Sequence, residues 1–240
     1  MVKYGFLVLV SIMSFTGIAQ DLTPAALLAK SIEYHDPTSS WDAFRGTLLI
    51  TMETPNNSNR YSEVTLDLPA NYFSLIVKKD DTVYKQLLDK DHCQLSLNGS
   101  DNFTEEDAKK YRLSCDRAIM MRNYYTYLYG LPMKLRDKGT ILHPVVLKKT
   151  FHGKEYLVLR VTYEENVGDD TWYFYFDPVT YAMEVYQFFH DESLNDGEYI
   201  LLDGVEKIKG MMIPKKRSWY TNKGNKLLGT DLLTAYQDLD

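Results

Sequence analysis

Trp172-Tyr173-Phe174-Tyr175-Phe176 is aromatic at every position. In a strand, successive side chains point to opposite faces of the sheet. Trp172, Phe174 and Phe176 therefore share one face, and Tyr173 and Tyr175 share the other. Neither face suits full exposure to water. Residues 73–77 and 199–202 are likewise apolar on both sides. A sheet buried on both faces needs covering layers, with helices on one side and a facing sheet or a ligand on the other.

Outward from this stretch, a period of two dominates the chain. Val64, Leu66 and Leu68 alternate with Thr65 and Asp67, and Phe73, Leu75 and Val77 alternate with Tyr72, Ser74 and Ile76. Turn residues such as Pro55-Asn56-Asn57 and Lys79-Asp80-Asp81 separate the runs, which predicts an antiparallel meander. Further strands are expected over 145–151, 156–163, 171–176, 181–190, 198–202, 211–220 and 226–236. Helical signals interrupt this pattern twice. Thr23-Pro24 opens a helix that ends at Asp36-Pro37. Thr104-Glu105-Glu106-Asp107 resembles a capping box, and Ala108, Tyr111, Cys115, Ile119 and Arg122 follow at helical spacing. Residues 104–129 thus read as one long or two short helices, and 131–144 as the connector to the second set of strands. The expected fold is mainly β: a large curved antiparallel sheet, or half-open barrel, covered by an N-terminal helix and a central helical lid.

The N-terminus carries an address. Met1-Val2-Lys3 precedes a mostly apolar run from Phe6 to Ile18, and Gly17-Ile18-Ala19 supplies the small residues a signal peptidase reads. Cleavage after Ala19 is expected, leaving residues 20–240 as a single exported domain, periplasmic or secreted. No later apolar run reaches the roughly 20 residues of a membrane span. A formal charge of −6 disfavours a nucleic-acid partner.

Chemistry-bearing motifs are sparse. The five histidines, at 35, 92, 143, 152 and 190, lack zinc spacing. No nucleophile elbow or phosphate-binding glycine loop occurs. Glu164-Glu165 and Asp169-Asp170 flank a turn, where solvated acids are routine. We therefore expect no catalytic residues, no metal and no cofactor. Lys207, Lys209, Lys215, Lys216 and Arg217 form a basic stretch that reads first as charged strand edges, and second as a dock for an anionic membrane surface or acidic partner. Cys93 and Cys115 are the only cysteines. Export favours a bridge between them, worth about 3 kcal/mol in the chain-entropy model. Two buried free thiols are the alternative.

The order of leader, helix, four or five strands, helical insertion and six or seven further strands resembles the half-open barrel of the LolA/LolB-like periplasmic lipoprotein carriers. Phe176-Asp177-Pro178-Val179-Thr180-Tyr181, followed by a long strand and Gly197-Glu198-Tyr199-Ile200, adds to that resemblance, as do Tyr129-Gly130-Leu131-Pro132-Met133-Lys134-Leu135 and Val167-Gly168-Asp169-Asp170-Thr171-Trp172. These last two also resemble a family of secreted bacterial proteins of unknown function. The resemblance to the carriers implies a non-enzymatic binder of an apolar small molecule or lipid, such as an acyl chain or a lipoprotein's lipid. An interaction module for an envelope protein partner is the alternative, and a hydrolase is third. A large apolar patch is rarely left open on a soluble monomer, so a pocket under the helical lid is expected. Its expected lining is Phe73, Leu75, Trp172, Phe174 and Phe176, with the hydroxyls of Tyr173 and Tyr175 directed to the wetter face.

Overall fold

The computed structural model describes residues 22–239. The expected leader and its cut after Ala19 lie outside the described residues. Helix α1 (Pro24–His35) starts as anticipated, with the Thr23 hydroxyl accepting from the Ala26 amide at 3.2 Å and proline in the first turn. Leu27, Leu28 and Ile32 are buried on its inner face.

Strands β1 (Arg45–Glu53), β2 (Arg60–Asp67), β3 (Tyr72–Lys79), β4 (Thr82–Asp89) and β5 (His92–Leu97) form the first meander. The second comprises β6 (Thr140–Leu142), β7 (Leu147–Phe151), β8 (Lys154–Tyr163), β9 (Thr171–Phe176), β10 (Met183–Phe189), β11 (Glu198–Ile208), β12 (Met211–Thr221) and β13 (Leu227–Asp238). All belong to one curved antiparallel sheet of 13 strands, in the order β5-β4-β3-β2-β1-β13-β12-β11-β10-β9-β8-β6, with β7 sharing the β8 edge. The two meanders join in the middle, where β13 returns to β1. The sheet stays open between β5 and β6, and the chain crosses from one edge to the other through its helices. That crossing places the helical insertion over the concave face.

The insertion is two helices, α2 (Glu105–Tyr111) and α3 (Cys115–Gly130). Arg112 adopts a left-handed conformation (φ 53°) and Ser114 caps α3 through the Arg117 amide at 3.1 Å. This break resets the helical phase. The single face read through Ala108, Cys115 and Ile119 does not exist: Ile119 is exposed, and Ala118, Tyr125, Leu128 and Tyr129 are buried instead. Strand β6 also lies inside the stretch expected to be a connector.

The cysteines are joined. Cys93 of β5 and Cys115 at the start of α3 form a disulfide with their Cα atoms 5.9 Å apart, which ties the helix to the sheet edge. Arg217 corrects the surface reading of the basic stretch, because it is fully buried. Its guanidinium lies 3.9 Å from the centre of the Tyr129 ring and donates to the Pro214 carbonyl at 2.9 Å and the Leu128 carbonyl at 3.4 Å. A cation at the last turn of α3 complements the helix dipole. Lys209 and Lys215 remain outside, paired with Asp238 and Glu206. Beyond Leu202, β11 pairs only with β12, so the charged ribbon is locally a strand edge.

Candidate ligand-binding cleft

The aromatic strand faces as its alternation implies. Phe174 and Phe176 join a core cluster with Phe73, Leu75, Leu27, Ala118 and Leu128, and Trp172 packs at its margin. Tyr173 and Tyr175 belong to a second, smaller cluster with Tyr156, Val158 and Val185, flanked by Leu147 and Phe151 of β7. On that face the Tyr175 hydroxyl donates to Gln187 at 2.7 Å.

An apolar cleft of about 510 Å³ opens where α3 crosses one rim of the sheet. The helix contributes Tyr124, Tyr127 and Leu128. Six strands contribute one residue each: Met52 (β1), Trp172 (β9), Phe188 (β10), Glu198 (β11), Trp219 (β12) and Leu228 (β13). These six sit alternately near C-terminal and N-terminal strand ends, as antiparallel neighbours must when they meet at one rim. The rings are mutually braced. Trp172 packs on Phe188 with centroids 4.8 Å apart and meets Tyr127 edge-on at 5.8 Å, while Tyr124 stacks on Trp219 at 6.3 Å. The Tyr127 and Tyr163 hydroxyls hydrogen-bond to each other behind the wall. Buried Tyr186 lies beneath, against both Trp172 and Trp219.

Glu198 is the one charged side chain in the lining. Burial raises its pKa, and nearby His190 partly offsets that. His190 is itself held toward its charged form by Asp170, 2.6 Å away. Just before Glu198, Gly197 has φ of +75°, and a Cβ there would stand 2.2 Å from the Phe188 carbonyl oxygen. Glycine thus sets the spacing of two lining residues.

Of the five residues expected to line the pocket, Trp172 does so. Phe73, Leu75, Phe174 and Phe176 are 0–2% exposed and belong to the packed core, and Leu75 borders a separate small cavity instead. The other lining residues escaped the sequence reading, because a period of two identifies a face of a strand but not which end reaches an open rim. The run Tyr124-Tyr125-Thr126-Tyr127, aromatic on a helix, was the available signal. Among the described residues, no three His, Cys, Asp or Glu converge as metal ligands, and no helix is long and apolar enough to cross a membrane.

A family model described as a family of unknown function, DUF6503, matches residues 3–235. No curated protein matches the sequence. Among solved structures, a LolA superfamily protein from Nitrosomonas europaea is 13% identical with a TM-score of 0.50, over 91% of this chain and 94% of that one. A domain described as belonging to an outer membrane lipoprotein-sorting protein, from Vibrio parahaemolyticus, is 11% identical with a TM-score of 0.49, over 88% and 91%. A DUF1329 family protein from Desulfovibrio piger is 9% identical with a TM-score of 0.45, over 91% and 94%. The likeness to the Nitrosomonas protein is one of fold: a LolA-like half-open barrel with helical elements.

Proposed function

The chain belongs to the DUF6503 family, and we propose that it is an exported, non-enzymatic binder of an apolar ligand, such as an acyl chain, held between α3 and the rim of the sheet. The supporting observation is the cleft itself. Its volume falls in the range of small-molecule sites, roughly 300–1,000 Å³, and such sites are mostly apolar with few polar groups. Burial of each methylene contributes about 0.8 kcal/mol, so one acyl chain suffices for reversible carriage. Trp172 contacts the ligand. Phe73, Leu75, Phe174 and Phe176 stay in the packed core that holds the sheet behind it. The leader over residues 1–19 delivers residues 20–240 to the periplasm or beyond as one domain.

A fluorescent fatty-acid probe tests this reading. Trp172→Ala should weaken probe binding about tenfold, the scale of one lost aromatic contact. Tyr61→Ala, at an exposed ring outside the cleft, should not. Unchanged binding in Trp172→Ala, or no binding by the native protein, contradicts the proposal. A second reading, an interaction module of an envelope complex, draws on Ile119 and Met120, which α3 leaves exposed. It predicts no lipid binding and loss of a protein contact on Met120→Lys.

A further inference from the structure

On the other side of α3 lies a second cavity of opposite character. Arg60 from β2, Arg112 from the break between α2 and α3, and Arg117 from the first turn of α3 converge on a small pocket of about 50 Å³, with Tyr84 and Gln86 of β4. An outer cleft of about 370 Å³ continues from it past Arg60 and Tyr84 to Lys79 and Lys110, with Asp80 its one acid. Among the described residues, no carboxylate lies in an ion pair with any of the three guanidiniums, whereas other cations of this acidic chain are paired. The Nε of Arg60 is buried without a hydrogen-bond partner. So is the Oε1 of Gln86, a residue 2% exposed whose amide nitrogen donates to the Arg112 carbonyl at 3.2 Å. Burial lowers the pKa of Arg117, and the like charges of Arg112 and Arg60 add to that.

Buried Asp231 feels the charge of Arg60 but forms no ion pair with it, and clustered cations that lack a contact counter-ion repel one another and are settled by an anion. Guanidinium forks match a phosphoryl group, which offers several acceptor oxygens and up to two negative charges. This cavity also adjoins the apolar cleft. Arg60 and Met52 are direct cross-strand partners, and each faces one of the two cavities. Adjacent Tyr124 and Tyr125 of α3 likewise line one cavity each, their rings 5.3 Å apart. We propose that Arg60, Arg112 and Arg117 bind the phosphoryl headgroup of an anionic amphiphile whose acyl chain lies in the apolar cleft. The inference rests on the apolar-ligand reading and specifies its ligand class. Gln86 Oε1 is the one carboxamide acceptor in the pocket, placed to take a hydroxyl of the headgroup.

The test titrates the protein, without its leader, with oleoyl lysophosphatidate and with monooleoylglycerol, which share a chain and differ in the phosphate. Lysophosphatidate should bind at least about tenfold more tightly, the scale of one charge-assisted contact. Arg112→Gln and Arg117→Gln, both at accessible positions, should remove that advantage and leave monooleoylglycerol binding and the melting temperature unchanged. Inorganic phosphate at constant ionic strength should compete with lysophosphatidate only. Equal affinity for the two lipids, or an advantage that survives both substitutions, overturns the headgroup site while leaving the apolar-ligand reading intact. Phosphate binding that depends on Arg117, with neither lipid bound, overturns the amphiphile and the apolar-ligand reading together and assigns the pocket to free phosphate.

Discussion

His35 enters the native fold as a neutral imidazole. Its Nε2 accepts from the Met183 amide at 2.9 Å, so its Nδ1 carries the proton and donates to the Met212 carbonyl at 2.7 Å. The ring thereby stitches α1 to β10 and β12. Burial lowers its pKa to about 4, whereas in the unfolded chain it titrates near 6.5. Between these values the unfolded chain takes up a proton that the native protein refuses. Stability is therefore fully present above pH 6.5 and falls as pH drops toward 4, by up to about 3 kcal/mol from this residue. Urea unfolding at pH 7.5 and pH 5 should show that slope, and His35→Gln should flatten it while lowering stability at both. An unchanged slope in the variant would show that His35 does not titrate as described. In the sequence this histidine reads only as the end of an amphipathic helix. Its two backbone partners lie 148 and 177 residues away, which no local pattern encodes. Arg217 hides in the same way: charge and neighbours suggest a surface, and only the fold brings Tyr129 and the Leu128 carbonyl to it.

At the scale of elements, α3 forms one wall of the apolar cleft, and three contacts hold it. The disulfide anchors its first turn, Arg217 its last, and Gly130 lets its end lie against Trp41. A Cβ on Gly130 would stand 2.5 Å from the Trp41 ring, which is itself buried. Gly130→Ala should accordingly lower stability by about 1–3 kcal/mol through overpacking, read as a shift of the urea midpoint. Reduction of Cys93–Cys115 should cost about 3 kcal/mol and raise amide exchange in α3 ahead of β1 and β13. Exchange rising equally in all three would mean that the bridge does not act on the helix. The capping signals at Thr23 and Thr104 were legible because they are local. The break at Arg112 was not, since nothing about an arginine announces a left-handed backbone. Once the phase slipped there, Ile119 was placed inside when it belongs outside. Strand β6, three residues long, was too short to show a period.

For the whole molecule, alternation along 172–176 and 73–77 sufficed to identify a sheet buried on both faces, and the helical interruption between two strand sets placed a cover over it. The open rim is a property of the assembled sheet. Met52, Phe188, Trp219 and Leu228 meet there only because antiparallel register aligns alternate strand ends, so alternation alone reached Trp172 and otherwise pointed to buried core residues. The central claim is that an acyl chain occupies this rim. The chain has three tryptophans; Trp172 and Trp219 line the cleft, whereas Trp41 is buried against Phe44. Quenching of tryptophan fluorescence by a fatty acid brominated along its chain acts at contact range and tests the claim most directly. The account predicts saturable quenching in the native protein that is lost in the Trp172→Phe/Trp219→Phe double variant, where only Trp41 emits. Absence of quenching in the native protein, or equal quenching in the double variant, would contradict it.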